Sequence, residues 1–466
     1  MAPAGASGAE PHGHAPDTTA STDPEQANSS GTSGTSGARR VAVLGGSRIP
    51  FARADGPYAT ASNQEMLSAA LDGLVRRFHL EGEMLGEVAA GAVLKHSHDF
   101  NLTREVVLGS ALDHRTPAFD VQQACGTGLE AVILIANKIA LGQMDCGIAG
   151  GTDTASDVPL GVNDDLRKLL LSVRRARGVG GRLRLAGGLR PKQLVPEIPR
   201  NAEPRTGLSM GEHAARTAAA WGIPREAQDE LAMTSHHRLA AAYDAGFFDD
   251  LVIPFRGLAR DQNLRPDSSM EKLARLKPVY GLGLAGSEPT MTAGNSTPLT
   301  DGAATVLLAS EEWARERNLP VLAYLSHARV GAVDFVDGDP GADGLLMAPV
   351  HTVPRLLAAA GLGLADFDFY EIHEAFASQV LATLAAWRDP EFCKSRLGLD
   401  APLGAIDRDR LNVNGSSLAA GHPFAATGAR IVATLAQLLH RREGGGRGLI
   451  SICAAGGQGV TAILER

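Results

Sequence analysis

The chain has 466 residues, 44% hydrophobic and 21% charged, with 54 Gly and 25 Pro, which is enough material for two or three globular domains around a large core. Its formal charge of -8 provides no global basic field for nucleic acid, so an anionic ligand would need a local patch of cations. The four cysteines, Cys125, Cys146, Cys393 and Cys453, form no C-x-x-C pair and no tight Cys/His cluster along the sequence. This argues against metal ligands and a disulfide framework, and fits free thiols in a reducing cytoplasm.

Residues 1–39 are Gly, Ser, Thr, Ala and Pro with scattered charges, and this composition predicts a disordered tail. The tail lacks the apolar core of a secretory signal, and its acidic residues argue against a transit peptide. No apolar run is long enough to span a bilayer. Ordered structure is expected from Arg40, where an apolar run ending in glycines predicts a buried strand. A helix is predicted at 63–78, then strands at 88–94 and 118–122, the latter running directly into an apolar helix at 126–142. A further buried strand begins at Cys146 and ends in Thr152-Asp-Thr-Ala-Ser.

The pattern then changes. Nine Lys and Arg residues lie among leucines between Asp164 and Lys192, a basic and partly amphipathic insertion. Helices are predicted at 211–221 and 225–245, the second opened by Pro224. Glycine-rich loops lead back to a strand at 303–308. The C-terminal part repeats the first rhythm, with strands at 321–328, 368–372, 448–453 and 459–464 and helices at 353–360, 373–387 and 426–439. Alternating strands and helices predict an α/β sheet covered on both faces, and the repeated rhythm hints at internal duplication.

Three glycine-rich settings carry chemistry. Cys125, in Val121-Gln-Gln-Ala-Cys-Gly-Thr-Gly128, lies where a strand turns into a helix. Unpaired N–H groups and the positive dipole end there are expected to lower a thiol pKa and support an oxyanion. Gly126 and Gly128 mark close approach by backbone or ligand, whereas taken alone Cys125 reads equally as an inert core thiol. His422, between Gly421 and Pro423, is held extended before the next helix, either as a base or as a cap for local backbone. Cys453 ends a strand and enters Ala-Ala-Gly-Gly-Gln-Gly, where following N–H groups can form an oxyanion nest; alone it reads as a core cysteine. His373-Glu-Ala-Phe is expected to open a helix at the C-terminal end of a strand, with Glu374 favouring the helix dipole. A nucleophilic thiol, a base and a second thiol acid suffice for carbon–carbon bond chemistry on a thioester.

Together these segments, with Thr292-Ala-Gly-Asn-Ser-Thr-Pro-Leu-Thr-Asp-Gly302, resemble the thiolase family over Arg40–Arg466. The resemblance implies a duplicated five-layered αβαβα fold. Its N-terminal half would comprise 40–156 and 288–316, and its C-terminal half 317–466. A loop domain at 157–287, covering the coenzyme A (CoA) site, would carry the basic insertion 160–200. It also implies an acetyl-CoA C-acyltransferase that cleaves 3-ketoacyl-CoA, or condenses in reverse, with CoA as co-substrate and no resident cofactor. Cys125 would carry the acyl group, and His422 would take its proton and help hold the enolate oxygen. Cys453 would move protons to the acetyl carbon and from the CoA thiol, while the N–H groups of Cys125 and Ala455 would form an oxyanion hole. Many thiolases have Asn where His373 stands; the His-Glu-Ala-Phe version resembles the thiolases of fatty-acid β-oxidation complexes, in which His373 would orient the enolate. By family position Thr297 and Met210 would line the pantetheine channel, and Arg256 and Arg265 are candidates for the CoA phosphates.

Partners implied are acyl-CoA, CoA and further copies of the chain in a homodimer or homotetramer, with room for a hydratase–dehydrogenase subunit. The basic insertion is expected to cover the site or form an interface, with peripheral membrane contact as the other reading. Two departures, Ala425 where glycine is common and the Gly126-Thr127-Gly128 run, are taken as marks of a subgroup. Two rival readings are a decarboxylating ketosynthase of the same fold, whose histidine pair His373 and His422 imitate, and a catalytically silent lipid carrier or scaffold. Cys453 argues against the first, and the presence of all four site residues argues against the second.

Overall fold

The computed structural model describes residues 38–466, so the expected disordered tail lies outside the described residues except at its last two positions. Arg39 is already fixed to the body: its N–H donates to Ala140 O, and its guanidinium to Ile139 O and Asp145.

The first half runs β1 (Val41–Arg48), α1 (Asn63–Phe78), β2 (Glu87–Ala90), α2 (Leu102–Leu108), β3 (Ala118–Asp120), α3 (Thr127–Ala140) and β4 (Cys146–Asp153). The insertion follows as α4 (Asp164–Arg175), α5 (Val179–Ala186), α6 (Met210–Ala220) and α7 (Arg225–Asp244). The chain then returns through β5 (Thr300–Ser310). The second half is β6 (Ala323–Ala332), α8 (Ala348–Ala360), β7 (Phe369–Ile372), α9 (Ala377–Arg388), α10 (Ala426–Arg441), β8 (Arg447–Ala454) and β9 (Gln458–Glu465).

The strands form one path, β7-β8-β9-β6-β1-β5-β4-β2-β3. The duplication hinted at by the sequence is visible in the pairing. In the first half β2 is parallel to β4, and β4, β5 and β1 follow antiparallel. In the second, β7 is parallel to β8, and β8, β9 and β6 follow antiparallel. The halves meet where Val41–Val43 pair with Ala323–Leu325. Apolar faces of α3 and α10 pack between the two halves, while α1 and α2 cover the outer face of the first and α8 and α9 that of the second. The central helices are apolar nearly all round because both sides are covered, as the sequence of α3 predicts.

Glycine sets how closely these two helices approach. A Cβ on Gly428 would lie 2.1 Å from Leu129 N, and one on Gly128 would lie 2.5 Å from Ala425 O. The expected close approach at Gly128 is therefore by backbone, and it brings the two helix N-termini together.

Several boundaries differ from expectation for local reasons. The strand predicted at 88–94 stops at Ala90, because the N–H groups of Val93 and Leu94 donate to Asp153 Oδ1 at 2.9 and 2.8 Å. The helix predicted from His373 begins only at Ala377. His373 N–H instead extends the sheet to Ser451 O, and Phe376 bridges to Ser296. Glu374 is thus outside the helix, and its carboxylate serves as a buried staple, described below. Helix α8 starts five residues earlier than predicted, because Pro349 falls in its first turn, where a missing N–H costs nothing.

The insertion has two characters. Helices α6 and α7 pack into the body, and the buried Arg48–Asp261 bidentate pair with Tyr243 ties that region to β1. Helices α4 and α5 bury no residue.

Candidate active site

Cys125 sits on a strained elbow. After β3 the chain enters a single tight turn, Ala124–Gly126, with Ala124 at φ 47°, a left-handed conformation costly for a residue with a Cβ. Thr127 clamps it: its hydroxyl accepts from Gln123 N–H at 2.8 Å and donates to Ala124 O at 2.7 Å. Cys125 remains half-buried at a pocket wall.

The equivalent loop of the second half presents His422. Gly421 at φ 100° packs against Thr300, whose Oγ1 accepts the His422 N–H at 2.8 Å. The imidazole Nδ1 meets Thr427 Oγ1 at 2.6 Å, and Nε2 lies 3.0 Å from Cys125 Sγ. For the Cys125 S–H to donate to Nε2, the ring proton must sit on Nδ1, directed at Thr427. The Ala425 departure is absorbed without strain: φ is -70° and the residue is wholly buried.

Electrostatics here run against one expectation. The helix start was expected to lower the Cys125 thiol pKa, and the N–H groups of Ala455 and Cys125 do act in that direction. Burial outweighs them and pushes the thiol up to about 12. Burial and the nearby Arg430 bring His422 down to about 3. The resting pair is therefore a neutral thiol beside a neutral imidazole, poised for proton transfer as attack proceeds rather than ionised beforehand.

Cys453, at the end of β8, faces the same pocket from the other side, buried, with its thiol held protonated by burial and by Cys125 nearby. Of the expected nest only part is free. The Ala455 N–H points to Cys125, whereas the Gly456 N–H donates to Glu203 Oε1 at 2.7 Å.

His373 stands behind His422, with ring centroids 4.2 Å apart. Its Nδ1 meets Ser417 Oγ at 2.9 Å, and its Nε2 is buried with no partner. Its neighbour Glu374 accepts from Ser235 Oγ (2.8 Å), Asn412 Nδ2 (2.7 Å) and Leu418 N (3.2 Å), fixing the loop that carries Ser417. One side-chain atom each from Cys125, His373 and His422 lie within 4.8 Å of one another. The Cys/His cluster that is absent along the sequence is thus assembled in space.

Cys125, His422 and Cys453 line a cavity of about 400 Å³, with Met210 and Thr297 also on its walls. The Thr297 N–H and hydroxyl both donate to Ala375 O, at 3.1 and 3.0 Å, so this residue braces the His-Glu-Ala-Phe segment. Arg256 pairs with Glu65, and the Arg265 guanidinium is turned onto carbonyls of its own loop; neither lines the cavity. Arg53 and Asn201 do line it, and neither carried a sequence signal. Ser417 and Arg430 were also missed. Thr427 was legible in principle, since it falls within the Gly-His-Pro segment itself.

Comparison with known proteins agrees with this architecture. Residues 41–312 match the family description "Thiolase, N-terminal domain" and residues 324–466 "Thiolase, C-terminal domain". The chain is 42% identical over 433 residues to a 3-ketoacyl-CoA thiolase of Pectobacterium atrosepticum, covering 91% of this chain and 96% of that one. It is 39% identical over 434 residues to the protein of the same description from Serratia proteamaculans, covering 91% and 97%. Among solved structures it resembles human mitochondrial 3-ketoacyl-CoA thiolase in complex with CoA (TM-score 0.73, 28% identity, 92% of this chain and 98% of that one). It also resembles Bacillus anthracis acetyl-CoA acetyltransferase (TM-score 0.74, 29% identity, 92% and 100%).

Proposed function

The chain belongs to the thiolase family and is an acetyl-CoA C-acyltransferase cleaving 3-ketoacyl-CoA with CoA, and we propose that Cys125, His422, Cys453 and His373 divide that reaction among them. The observation that carries the proposal is the 3.0 Å contact of Cys125 Sγ with His422 Nε2 in a cavity that also holds Cys453. Cys125 attacks the C3 ketone as its proton passes to His422, and the tetrahedral oxyanion is held by the N–H groups of Cys125 and Ala455. Collapse breaks C2–C3, leaving an acyl thioester on Cys125 and the enolate of acetyl-CoA. The protonated His422, with His373, donates to the enolate oxygen. Cys453, kept as a thiol by its surroundings, gives its proton to C2. The resulting Cys453 thiolate takes the proton of incoming CoA, whose sulfur displaces the acyl group from Cys125.

CoA is bound as co-substrate, its pantetheine running past Met210 and Thr297 beneath the covering loop domain. Asn201, Met210 and Tyr280 of that domain lining the cavity support the covering role. The basic segment 160–200 contributes no residue to the cavity. On α4 and α5, exposed Leu170, Val179 and Leu183 stand among Arg174, Arg175 and Arg182, a composition suited to an interface or an anionic membrane surface. Salt-sensitive cosedimentation with anionic vesicles would support the membrane reading, and its absence the protein-interface one. A homodimer or homotetramer fits a sheet that leaves β3 as an edge strand with one side unpaired. Among the described residues no helix is long and apolar enough to cross a membrane.

The test is CoA-dependent cleavage of a series of 3-ketoacyl-CoAs. Turnover at one or more chain lengths, abolished in Cys125→Ala, supports the proposal. Inactivity throughout would favour the silent scaffold. Release of carbon dioxide from malonyl-CoA without thiolysis would favour the decarboxylating rival.

A further inference from the structure

Arg430, buried on α10, donates through Nη2 to Ser417 Oγ at 3.0 Å and to Ser416 Oγ at 3.2 Å. A guanidinium has donors only, so Ser417 must accept there, which leaves its own hydroxyl proton to place. The other polar neighbour of that hydroxyl is His373 Nδ1, at 2.9 Å. Two arrangements are then possible. If Ser417 donates to Nδ1, the neutral ring carries its proton on Nε2. If instead Nδ1–H donates to Ser417, the hydroxyl proton is buried without an acceptor, and Nε2 turns a lone pair toward the site. Leaving a buried donor unpaired disfavours the second arrangement by roughly tenfold or more. A doubly protonated ring is opposed by burial and by Arg430 itself.

We propose that Arg430 and Ser417 form a positioning relay that locks His373 as the Nε2–H tautomer, presenting a donor to the enolate oxygen beside His422. The otherwise unpartnered buried Nε2 is the group this relay prepares. The two histidines are then set in opposite tautomers. His422 turns a lone pair to Cys125 because its proton faces Thr427, and His373 turns an N–H forward because Ser417 occupies its Nδ1. The relay also accounts for a Cys–His–His cluster that does not present three lone pairs to a cation, since a protonated Nε2 cannot coordinate one.

The inference rests on the reading of His373 as an enolate donor, and the experiment separates the two. Two reactions are followed: exchange of the acetyl-CoA C2 proton with deuterium oxide, which passes through the enolate, and acyl exchange between acyl-CoA and labelled CoA, which does not. Ser417→Ala is expected to slow C2 exchange about tenfold to a hundredfold while acyl exchange stays within about threefold. Ser417→Thr, which keeps the hydroxyl, should restore C2 exchange. In a His373→Leu background Ser417→Ala should have no further effect. Equal loss of both reactions in Ser417→Ala, or loss of neither, overturns the relay. Undiminished C2 exchange in His373→Leu would instead overturn the donor role beneath it. Neutron diffraction from the unmutated protein gives an independent reading: a deuteron on His373 Nε2 supports the relay, and one on Nδ1 refutes it.

Discussion

Gly128→Ala tests the claim that helix approach, rather than local motif chemistry, makes the nucleophile and base meet. A Cβ at Gly128 would lie 2.5 Å from Ala425 O and 2.9 Å from Ala429 N, where ordinary contact begins at 3.4 Å, so α3 and α10 must separate by about 0.9 Å. Both obstructing atoms are backbone, so no side chain can swing away. Cys125 lies three residues before this contact and His422 three residues before Ala425, so the shift is transmitted to the 3.0 Å Sγ–Nε2 distance, opening it toward about 3.9 Å. Misplacement of that size costs on the order of 10²-fold in rate, and overpacking costs about 1–3 kcal/mol in stability. Thiolysis of acetoacetyl-CoA measures the first and urea unfolding the second. Gly161→Ala is the control, because a Cβ there meets nothing closer than 3.8 Å. A Gly128→Ala enzyme with kcat/KM within about threefold of the parent would refute the reasoning.

A thiol at about 12 is five pH units from ionisation at pH 7, so about one molecule in 10⁵ carries the thiolate. Iodoacetamide labelling of Cys125, followed by peptide mass spectrometry, should rise about tenfold per pH unit from 6 to 9; a plateau through neutrality would show a resting ion pair instead. Cys453→Ala should still acquire an acyl group on Cys125 but lose about 10²–10⁴-fold in C2 proton exchange, and full condensation activity in that variant would refute the two-thiol division. Asp261→Ala strands the Arg48 guanidinium, which is 4% exposed, and should cost about 3–5 kcal/mol in urea unfolding. Glu371 is pushed up to about 8 by burial, while unfolded it titrates near 4.5. Its folded state therefore holds a proton that the unfolded chain releases, and this part of the stability falls as pH rises from about 4.5 to 8. Glu371→Gln should abolish that slope, so its thermal advantage over the parent should grow across this range and flatten above it.

The fold was legible where one force dominated. Alternating apolar runs and glycine-punctuated turns located most major strands and helices because burial on both sheet faces leaves an apolar signature. Failures came where tertiary hydrogen bonds outbid local pattern. Asp153 captured the N–H groups of Val93 and Leu94, and the sheet and Ser296 held His373–Phe376 extended ahead of α9. Cys125, His422, Cys453 and His373 could be singled out as candidates because each stands in a glycine-rich or motif-bearing turn. Ser417 and Arg430 carried no such mark. Arg430 looks like a surface arginine on a helix, and only the packing of α10 between the sheet halves makes it a buried cation. The Cys125 pKa was misjudged because the helix N-terminus is visible in sequence, whereas the desolvation that exceeds it is a property of the assembled layers.

One buried cation near two buried carboxyls explains why the site can stay neutral. Arg430 faces Glu371 and Glu374, and both carboxyl groups are raised by burial. Glu374 receives three donors, whereas both oxygens of Glu371 receive none, so the anion belongs on Glu374 and the shared proton on Glu371. Glu374 then offsets part of the Arg430 charge, and burial together with the field that remains keeps both histidines above them unprotonated. With thiol and imidazoles unionised at rest, donors in such surroundings act most strongly on charge that appears during reaction, which in the proposed mechanism is the oxyanion at the Cys125 and Ala455 amides and the enolate at His422 and His373. On this view the high thiol pKa of Cys125 is a consequence of the same dry surroundings that make the enolate accessible, and a variant that admits water should ease thiol ionisation while slowing carbon–carbon cleavage.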